Sequence, residues 1–418
     1  MQDNEKKPAL RFKGFTDPWE QRKLAELTKT ITTGKSVNSD EGEVSDGDIG
    51  VLKTSCVSYD RFNPSESKPV VKSEQQLVKC AVEKDSVIVS RMNTPERVGA
   101  CGYVSTDFPN LFLPDRLWKL KFQDTVDTYF VYMMLVSSAY KEKITSMASG
   151  TSGSMYNIPK ETFLNLQLVI PAKIDEQKQL GKILKKIDTL ITLHQRKYEK
   201  LVNIKKSMLD KMFPQNGVSV PEIRFKGFTD PWEQRKLEEY LEVSGQKNFE
   251  GIYTKEDVLS VSGDFGIVNQ IEFQGRSFAG ASVANYGVVE TGDIVYTKSP
   301  LKSNPYGIIK ANKGKNGIVS TLYAVYKPKQ SANPEFVQIY FEQDARMNNY
   351  MHPLVNKGAK NDMKVSAENA LKGQIVFPDI KEQRTISEFF HNLDTLITLH
   401  QREHIKPILE VKRVKRNE

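Results

Sequence analysis

The sequence is poor in cysteine and has no long hydrophobic segment. Its 418 residues include three cysteines, Cys56, Cys80 and Cys101, and no two of them have C-x-x-C spacing. This pattern argues against a disulfide framework or a zinc site, so free thiols are expected. The chain has no run of 18 apolar residues and no basic, apolar signal at its amino terminus. We therefore predict a cytoplasmic protein that does not enter a membrane.

Motifs for catalysis are also missing. The segment Ser303-Asn304-Pro305-Tyr306 has one proline where the N/D-P-P-Y/F box of amino-methyltransferases has two, and no F-x-G-x-G loop accompanies it. Gly34-Lys35-Ser36 resembles the end of a P-loop, but Lys29 stands where the first P-loop glycine is required. No carboxylate cluster of the nuclease type is evident. We therefore predict no catalytic residue, no metal ligand and no cofactor of its own for this chain.

The composition is that of a soluble globular protein. Hydrophobic residues make up 39% and charged residues 27% of the chain, and its length suffices for two or three domains. The formal net charge is +8. A basic protein of this kind has polyanions among its plausible partners, although charge alone is weak evidence for nucleic acid.

A long amphipathic segment lies near the middle of the chain, at residues 176–213. Its apolar residues fit heptads with the a positions at 180, 187, 194, 201 and 208. It carries ten Lys/Arg against four Asp/Glu, which is six of the eight net positive charges of the chain. The pattern predicts one helix about 57 Å long at 1.5 Å per residue.

A partial copy of this segment occurs near the end of the chain. Residues 175–196 align with residues 381–402, and the nine residues DTLITLHQR are identical in both. Two helices with the same seam favour an antiparallel pair, since neither buries its apolar stripe alone. The alternative is that each helix packs separately on its own domain. His194 and His400 share an a position, so we interpret them as polar seam residues rather than as metal ligands with His404.

A second repeat is exact. The fourteen residues RFKGFTDPWEQRKL occur at 11–24 and again at 224–237. Identity over this length indicates an internal duplication. Trp19 and Trp232 occupy equivalent positions in it and are predicted to be anchors, either in a core or against a partner protein.

The regions that follow each front repeat differ in sequence but share landmarks in the same order. The first spans about 25–174 and the second about 238–380. Residues 84–91 parallel 291–298, 102–106 parallel 317–321, 150–155 parallel 358–363, and 169–171 parallel 376–378. Short Val/Ile/Tyr-rich runs between Gly and Asn predict strands with one or two helices, hence a mixed α/β domain that occurs twice.

The repeats predict four segments. Residues 1–175 form a front repeat and the first variable domain, and residues 176–213 form the central helix. Residues 214–381 repeat the front motif and variable domain, and residues 382–418 form the second helix and a basic tail. Pro407 falls at the position that matches Leu201, so we expect this helix to kink or stop near Lys406.

Two divergent domains framed by identical repeats and separated by a long helix resemble the specificity subunit of type I restriction–modification systems. The motifs that carry the resemblance are the RFKGFTDPWEQRKL repeats, the turns at 150–153 and 358–361, and the two EQ…DTLITLHQR helices. The resemblance covers essentially the whole chain, except that KKSMLDKMF at 205–213 has no counterpart after Arg402.

The resemblance implies a division of labour. Each variable domain is then a target recognition domain for one half of a split, asymmetric double-stranded DNA site, and the helix pair is a spacer. The conserved parts dock two methyltransferase subunits, which bind S-adenosylmethionine, and two motor–nuclease subunits, which use ATP and Mg²⁺, join for cleavage. The chain itself is then not an enzyme. Alternatives are a methylation-only complex or, in another class, a coiled-coil adaptor that joins two protein-binding domains.

Candidate DNA-binding residues follow from residue type and position in loops or at strand ends. Arg and Lys suit guanine, Asn suits adenine, and Lys often holds phosphates. In the first domain they are Lys53, Thr54, Ser55, Tyr59, Arg61, Ser90, Arg91, Asn93, Ser152, Ser154, Tyr156 and Asn157. In the second they are Lys298, Ser299, Lys302, Asn304, Lys313, Lys315, Asn316, Lys357, Lys360, Asn361 and Lys364.

Overall fold

The structure is a computed structural model that describes residues 8, 11–59, 61–150, 155–215, 218–298, 304–357 and 363–414. For residues 356–357, 363–364 and 402–414 it describes the backbone only. The chain divides into two compact units, Met1–Ile191 and Thr192–Glu418. The boundary between the units falls inside the long central helix.

The first unit combines short strands with a few helices. Its strands β1 to β14 are, in chain order, Glu20–Lys23, Thr28–Thr33, Gly50–Leu52, Val57–Ser58, Arg61–Phe62, Ser67–Pro69, Ala81–Val82, Ser86–Ser90, Met92–Asn93, Cys101–Val104, Phe108–Phe112, Leu117–Phe122, Tyr156–Asn157 and Gln167–Ile170. Its helices α1 to α5 are Leu24–Leu27, Thr128–Val136, Ser138–Ser146, Lys160–Leu164 and Ile174–Lys211, the last of which continues into the second unit.

The second unit has the same kinds of element. Strands β15 to β26 are Glu233–Lys236, Leu241–Val243, Leu259–Ser262, Gly266–Asn269, Gly287–Val289, Ile294–Thr297, Ile309–Ala311, Gly317–Val319, Tyr323–Pro328, Asn356–Lys357, Met363–Lys364 and Gln374–Phe377. Helices α6 to α9 are Gln270–Gln274, Pro334–Tyr340, Asp344–Met351 and Ile380–Val414.

Each unit is built on the same antiparallel four-stranded sheet. In the first unit the order is β10-β8-β12-β2, and in the second it is β21-β20-β23-β16. In both, the front-repeat strand pairs instead with the strand that precedes the long helix, β1 with β14 and β15 with β26. The prediction of one mixed α/β fold that occurs twice is confirmed.

The central strand of each sheet is buried on both faces, which explains its unbroken apolar sequence. Val87 and Val89 of β8 join the larger core of the first unit, and Ile88 points into a smaller one. Ile294 and Tyr296 of β20 likewise belong to the larger core of the second unit. Successive side chains of a strand point to opposite faces, so one short strand serves two cores.

One of the predicted landmark pairs is wrong. Residues 102–106 and 317–321 have similar sequences, but β10 pairs with the central strand β8 whereas β22 pairs with β19. The topological partner of β10 is β21, which pairs with the central strand β20. Strands that follow each other in a sheet have similar Gly/Val patterns, so sequence alone placed the match one strand too far along.

The second long helix differs from expectation at Pro407. Helix α9 does not stop near Lys406 but runs from Ile380 to Val414. A proline inside a helix removes one i→i−4 hydrogen bond, and the helix can continue when its other residues favour it. No helix in the described part of the chain is long and apolar enough to cross a membrane.

The two long helices run antiparallel where they meet within the second unit. His194 of α5 lies beside His400 of α9, with 3.0 Å between their Nδ1 atoms. Further along α5, the Lys205 ammonium lies 2.8 Å from the Asp394 carboxylate, which precedes His400 in α9.

Candidate nucleic-acid interface and its duplicated frame

A buried ion pair fixes each front repeat to the start of its long helix. The Arg11 guanidinium donates two hydrogen bonds of 2.7 Å to the Glu176 carboxylate. Arg224 donates two bonds of 2.7 Å to Glu382 in the same way. Both glutamate side chains are only 1% exposed. Bidentate, charge-assisted bonds of this kind fix the relative orientation of the two side chains and also add stability. The duplication therefore preserves this ion pair, which we call the clamp, as well as the sequence.

The glutamine after each glutamate attaches the helix to the variable domain. The Gln177 side-chain oxygen accepts from the backbone N–H of Asp127, and Asp127 caps helix α2. Gln383 accepts from the backbone N–H of Asn333, and Asn333 caps helix α7. Each Glu-Gln dipeptide therefore joins the front repeat, the long helix and the first helix that packs on the sheet. We call the front repeat and the start of the long helix, joined in this way, the frame of each unit.

The two equivalent tryptophans have different environments. Trp19 is partly buried, packs edge-on against Phe130 with 6.1 Å between ring centroids, and donates a hydrogen bond to Glu176. Trp232 is 3% exposed and lies in the main core of the second unit. Its Nε1 is buried without a hydrogen-bond partner in the described structure. A side chain as buried as Trp232 cannot contact a partner directly, so the docking role predicted for it reduces here to support of the surface above it.

A cation occupies the same place in both units, at the carboxyl end of the central strand. The Arg91 Nε follows β8 and donates to the Asp115 carbonyl, two residues before β12. Lys298 follows β20, and its ammonium donates to the Thr321 carbonyl, two residues before β23. Burial lowers the pKa of Lys298, and the neighbouring positive charge of Lys247 lowers it further. A nearby anion would relieve both effects.

Three of the predicted segments of the first domain come together at this end of its sheet. Strand β9 pairs with β13, which sets Asn93 opposite Tyr156 and Met92 opposite Asn157. The Asn93 amide is also 3.5 Å from the Thr54 carbonyl, which brings the 53–55 segment alongside. The candidates therefore form one surface, although they lie about a hundred residues apart in the sequence.

Several candidates on this surface are engaged within the protein. Ser90 and Asn93 are buried and hydrogen-bonded to each other at 3.0 Å, so they shape the strand end rather than face a ligand. Ser55 donates to Glu66. The Tyr59 hydroxyl donates to the Val98 carbonyl, and burial raises its pKa.

Other candidates of the first domain remain accessible. Arg61 is exposed in β5, and Lys53 is partly exposed. Asn157 is partly exposed as a residue, but its Oδ1 is buried and has no hydrogen-bond partner in the described structure. Among the first-domain candidates, the cationic side chains of Lys53, Arg61 and Arg91 are at least partly exposed.

The candidates of the second domain do not form one surface. Lys298 lies at the carboxyl end of β20, near the start of β21, where Asn304 is also found. Lys313, Lys315 and Asn316 occupy the turn after β21, at the other end of the same two antiparallel strands. In that turn Lys313 pairs with Glu335, and the Asn316 side chain accepts from Thr291. The sequence could not separate the two ends because both are polar turns beside one hairpin.

Some predicted residues lie outside what the structure describes. Strands β24 and β25 pair across residues 358–362, so Lys357 and Lys364 are placed by their backbone alone. Six further candidates lie wholly outside the described residues: Ser152, Ser154, Ser299, Lys302, Lys360 and Asn361.

Sequence reasoning missed the residues that hold the frame together. Arg11 and Glu176, with their copies Arg224 and Glu382, join the front repeat to the long helix, and Gln177 and Gln383 join that helix to the variable domain. The signal was present, because Arg11 opens the exact repeat and a Glu-Gln pair opens both helices. Among the described residues, no group of three or more His, Cys, Asp or Glu side chains is arranged to hold a metal ion.

Comparisons with known proteins agree with this architecture. The family model for the type I restriction modification DNA specificity domain matches residues 16–203. Residues 16–203 therefore carry a type I restriction modification DNA specificity domain, and the chain as a whole is similar to specificity subunits of such systems.

The individual relatives have low sequence identity to this chain, and one of them matches it over most of its length. The chain is 21% identical over 410 residues to the putative type I restriction enzyme MjaX specificity subunit of Methanocaldococcus jannaschii, covering 93% of this chain and 89% of that protein. It is 29% identical over 127 residues to the MjaVIII specificity subunit of the same organism, covering 29% of this chain and 28% of that protein. The crystal structure of a type I restriction–modification S subunit from M. genitalium has the same fold, with a TM-score of 0.58, 15% identity and coverage of 98% and 97% of the two chains.

Proposed function

We propose that each of the two units recognises its own half of a bipartite, asymmetric DNA sequence. The observation that carries this is the contrast inside the duplication. The frame keeps the same bidentate ion pair in both units, Arg11–Glu176 and Arg224–Glu382. The strand ends that it presents differ, with Arg91 in one unit and Lys298 in the other.

The chemistry at the two strand ends supports different base preferences. Arg91 presents a planar fork that matches the O6 and N7 acceptors of guanine. Lys298 is a compact ammonium that suits a phosphate or a single base acceptor. Two half-sites of unlike sequence are the expected result, since only identical units give a palindrome.

The exposed face of the front repeat supports docking of a second protein in two copies. Lys13, Asp17 and Glu20 are exposed, and the same residue types are exposed at Lys226, Asp230 and Glu233. The fold does not require identity at these solvent-facing positions. Two copies of one docking face suit two methyltransferase subunits, which would supply S-adenosylmethionine, and motor–nuclease subunits would bring ATP and Mg²⁺ to such a complex.

A domain exchange tests the assignment of half-sites. Residues 25–174 would be replaced by the first variable domain of another specificity subunit, and the methylated motif of cells that produce the chimera would be sequenced. One half of the motif should change and the other should stay. The matched control replaces the region after the second front repeat, which should change the opposite half. A change of both halves by either exchange would contradict independent recognition.

A further inference from the structure

A large cleft lies inside the first unit, between the domain and helix α5. Its volume is about 900 Å³. One wall is the face of α5 that carries Lys178, Lys182 and Lys185. The opposite wall includes Lys29 on β2 and Lys121 on β12. None of the five was among the residues predicted to meet DNA.

The helix lysines form a row. They are four and three residues apart, which places them on one face and about 6 Å and 4.5 Å apart along the axis. All three side chains are exposed. Lys178 and Lys182 make no ion pair or side-chain hydrogen bond in the described structure, and the Lys185 ammonium lies 5.3 Å and 5.5 Å from the ring centroids of Tyr103 and Tyr129.

The acidic residues of the cleft do not neutralise this row. Asp127 caps α2 by accepting from the Phe130 backbone N–H, and Asp85 accepts from the Tyr103 hydroxyl. Asp124 is 94% exposed and lies 3.7 Å from Lys29 on the far wall. Five lysines and three aspartates line the cleft, so it keeps a net positive charge.

Gly181 allows the helix to approach the domain closely at this point. A Cβ added to Gly181 would lie 2.5 Å from the Asp127 carboxylate. In the second unit the matching helix residue is Ser387, which donates a hydrogen bond to the helix cap Asn333. The glycine thus sets the width of the cleft and holds the lysine row beside the sheet edge.

We propose that this lysine row binds the phosphate backbone of double-stranded DNA, outside the bases that the domain recognises. This inference rests on the proposed function. A row with steps of about 4.5–6 Å fits a linear polyanion, since each DNA strand carries one charge per ~3.4 Å of axis. A compact anion would instead need ligands that converge on one point.

The contact is specific to the first unit. The α9 residues that match Lys178, Lys182 and Lys185 are Arg384, Glu388 and His391. That face has one fixed positive and one fixed negative charge, so it offers no comparable row. The first unit should therefore hold the DNA backbone more strongly than the second, whatever bases each unit recognises.

The test compares two triple variants of the full chain with the same loss of charge. The first replaces the row by glutamine at 178, 182 and 185. The control replaces Lys35, Lys72 and Lys79, which are exposed lysines of the same unit that make no side-chain hydrogen bond or ion pair in the described structure. Binding to a 30-base-pair duplex of random sequence is measured by fluorescence anisotropy between 50 and 200 mM salt, and circular dichroism checks that both variants fold.

The plot of log K against log salt has a negative slope, and each lost phosphate contact reduces the magnitude of that slope by about 0.9. Removal of the row should lower it by about 2.7, so the loss of affinity between 50 and 200 mM salt should shrink about 40-fold. The control should keep the wild-type slope. Equal slopes for the two triple variants would overturn the proposal while leaving sequence recognition intact, whereas a wild-type chain that binds no duplex would contradict the proposed function itself. Binding of tripolyphosphate to the same variants is measured as well. If the triple variant of the row lost tripolyphosphate binding but kept the wild-type DNA slope, the row would be a small-anion site, and the proposal would also be overturned.

Discussion

The Arg224–Glu382 clamp gives a sharp prediction about stability. Replacement of Glu382 by methionine keeps the approximate side-chain volume but leaves the guanidinium of Arg224, 12% exposed, without its carboxylate. Loss of one partner of a buried ion pair costs about 3–5 kcal/mol. The double variant R224M/E382M removes both charges and should recover most of that loss, since an apolar pair of similar volume is often neutral.

The assay must resolve the two units, because a chain with two units does not unfold in one step. Hydrogen exchange followed by mass spectrometry reports each unit through its own strands, β26 in the second and β14 in the first. E382M should raise exchange in β26 by roughly two to more than three orders of magnitude, since 1.4 kcal/mol corresponds to tenfold. Exchange in β14 should not change.

The control lies in the same repeat. Glu233 is a surface residue that pairs with Arg235, and E233M should cost less than about 1 kcal/mol. A cost below 1 kcal/mol for E382M, or a double variant as unstable as the sum of its single changes, would refute the clamp. The equivalent R11M/E176M variant should recover less, because Trp19 also donates to Glu176.

Three further predictions follow from the same contacts. Replacement of the fully buried Trp232 by alanine should destabilise the second unit by about 3–5 kcal/mol, and replacement of the partly exposed Trp19 should cost its unit less; equal losses by hydrogen exchange would contradict the difference in burial. Insertion of four residues after Arg196 adds about 6 Å of helix, so a methylation assay on a spacer library should show a preference for one or two additional base pairs, and an unchanged preference would mean that α5 does not set the spacing. Alanine at Gly34 would place its Cβ 1.5 Å from the Leu113 carbonyl oxygen and should cost on the order of 2 kcal/mol or more, whereas alanine at Gly263, with no atom within 4 Å, should stay within about 0.5 kcal/mol; equal increases in hydrogen exchange, each measured in the unit that carries the change, would contradict this.

The repeats made the architecture predictable. An exact copy of fourteen residues and a second copy of the helix start fix the order of the parts, and short unbroken apolar runs such as 87–89 identify the buried strands. The repeats could not show which short strand matches which, because neighbouring strands have similar apolar patterns. The continuation of α9 past Pro407 was also not predictable. It depends on whether the stability of the other helical residues exceeds the loss of one backbone hydrogen bond at the proline.

The candidate interface was predictable only in outline. Residue type identified Arg91 and Lys298, and the fold places both at the same strand end. The same reasoning included Ser90 and Asn93, which satisfy each other, because a buried polar pair and an exposed one have the same letters in a sequence. It passed over Lys178 and Lys182, since a charged helix face is ordinarily a solvated one and only the fold shows a domain wall opposite it.

Sequencing of methylated bases in the host genome, with and without this gene, tests the central claim most directly. Two units with one frame and different strand ends predict a motif made of two unlike specific segments, separated by an unspecified spacer of fixed length, and its loss when the gene is deleted. A continuous or palindromic motif that depends on this gene, or a bipartite motif that persists in its absence, would contradict the account.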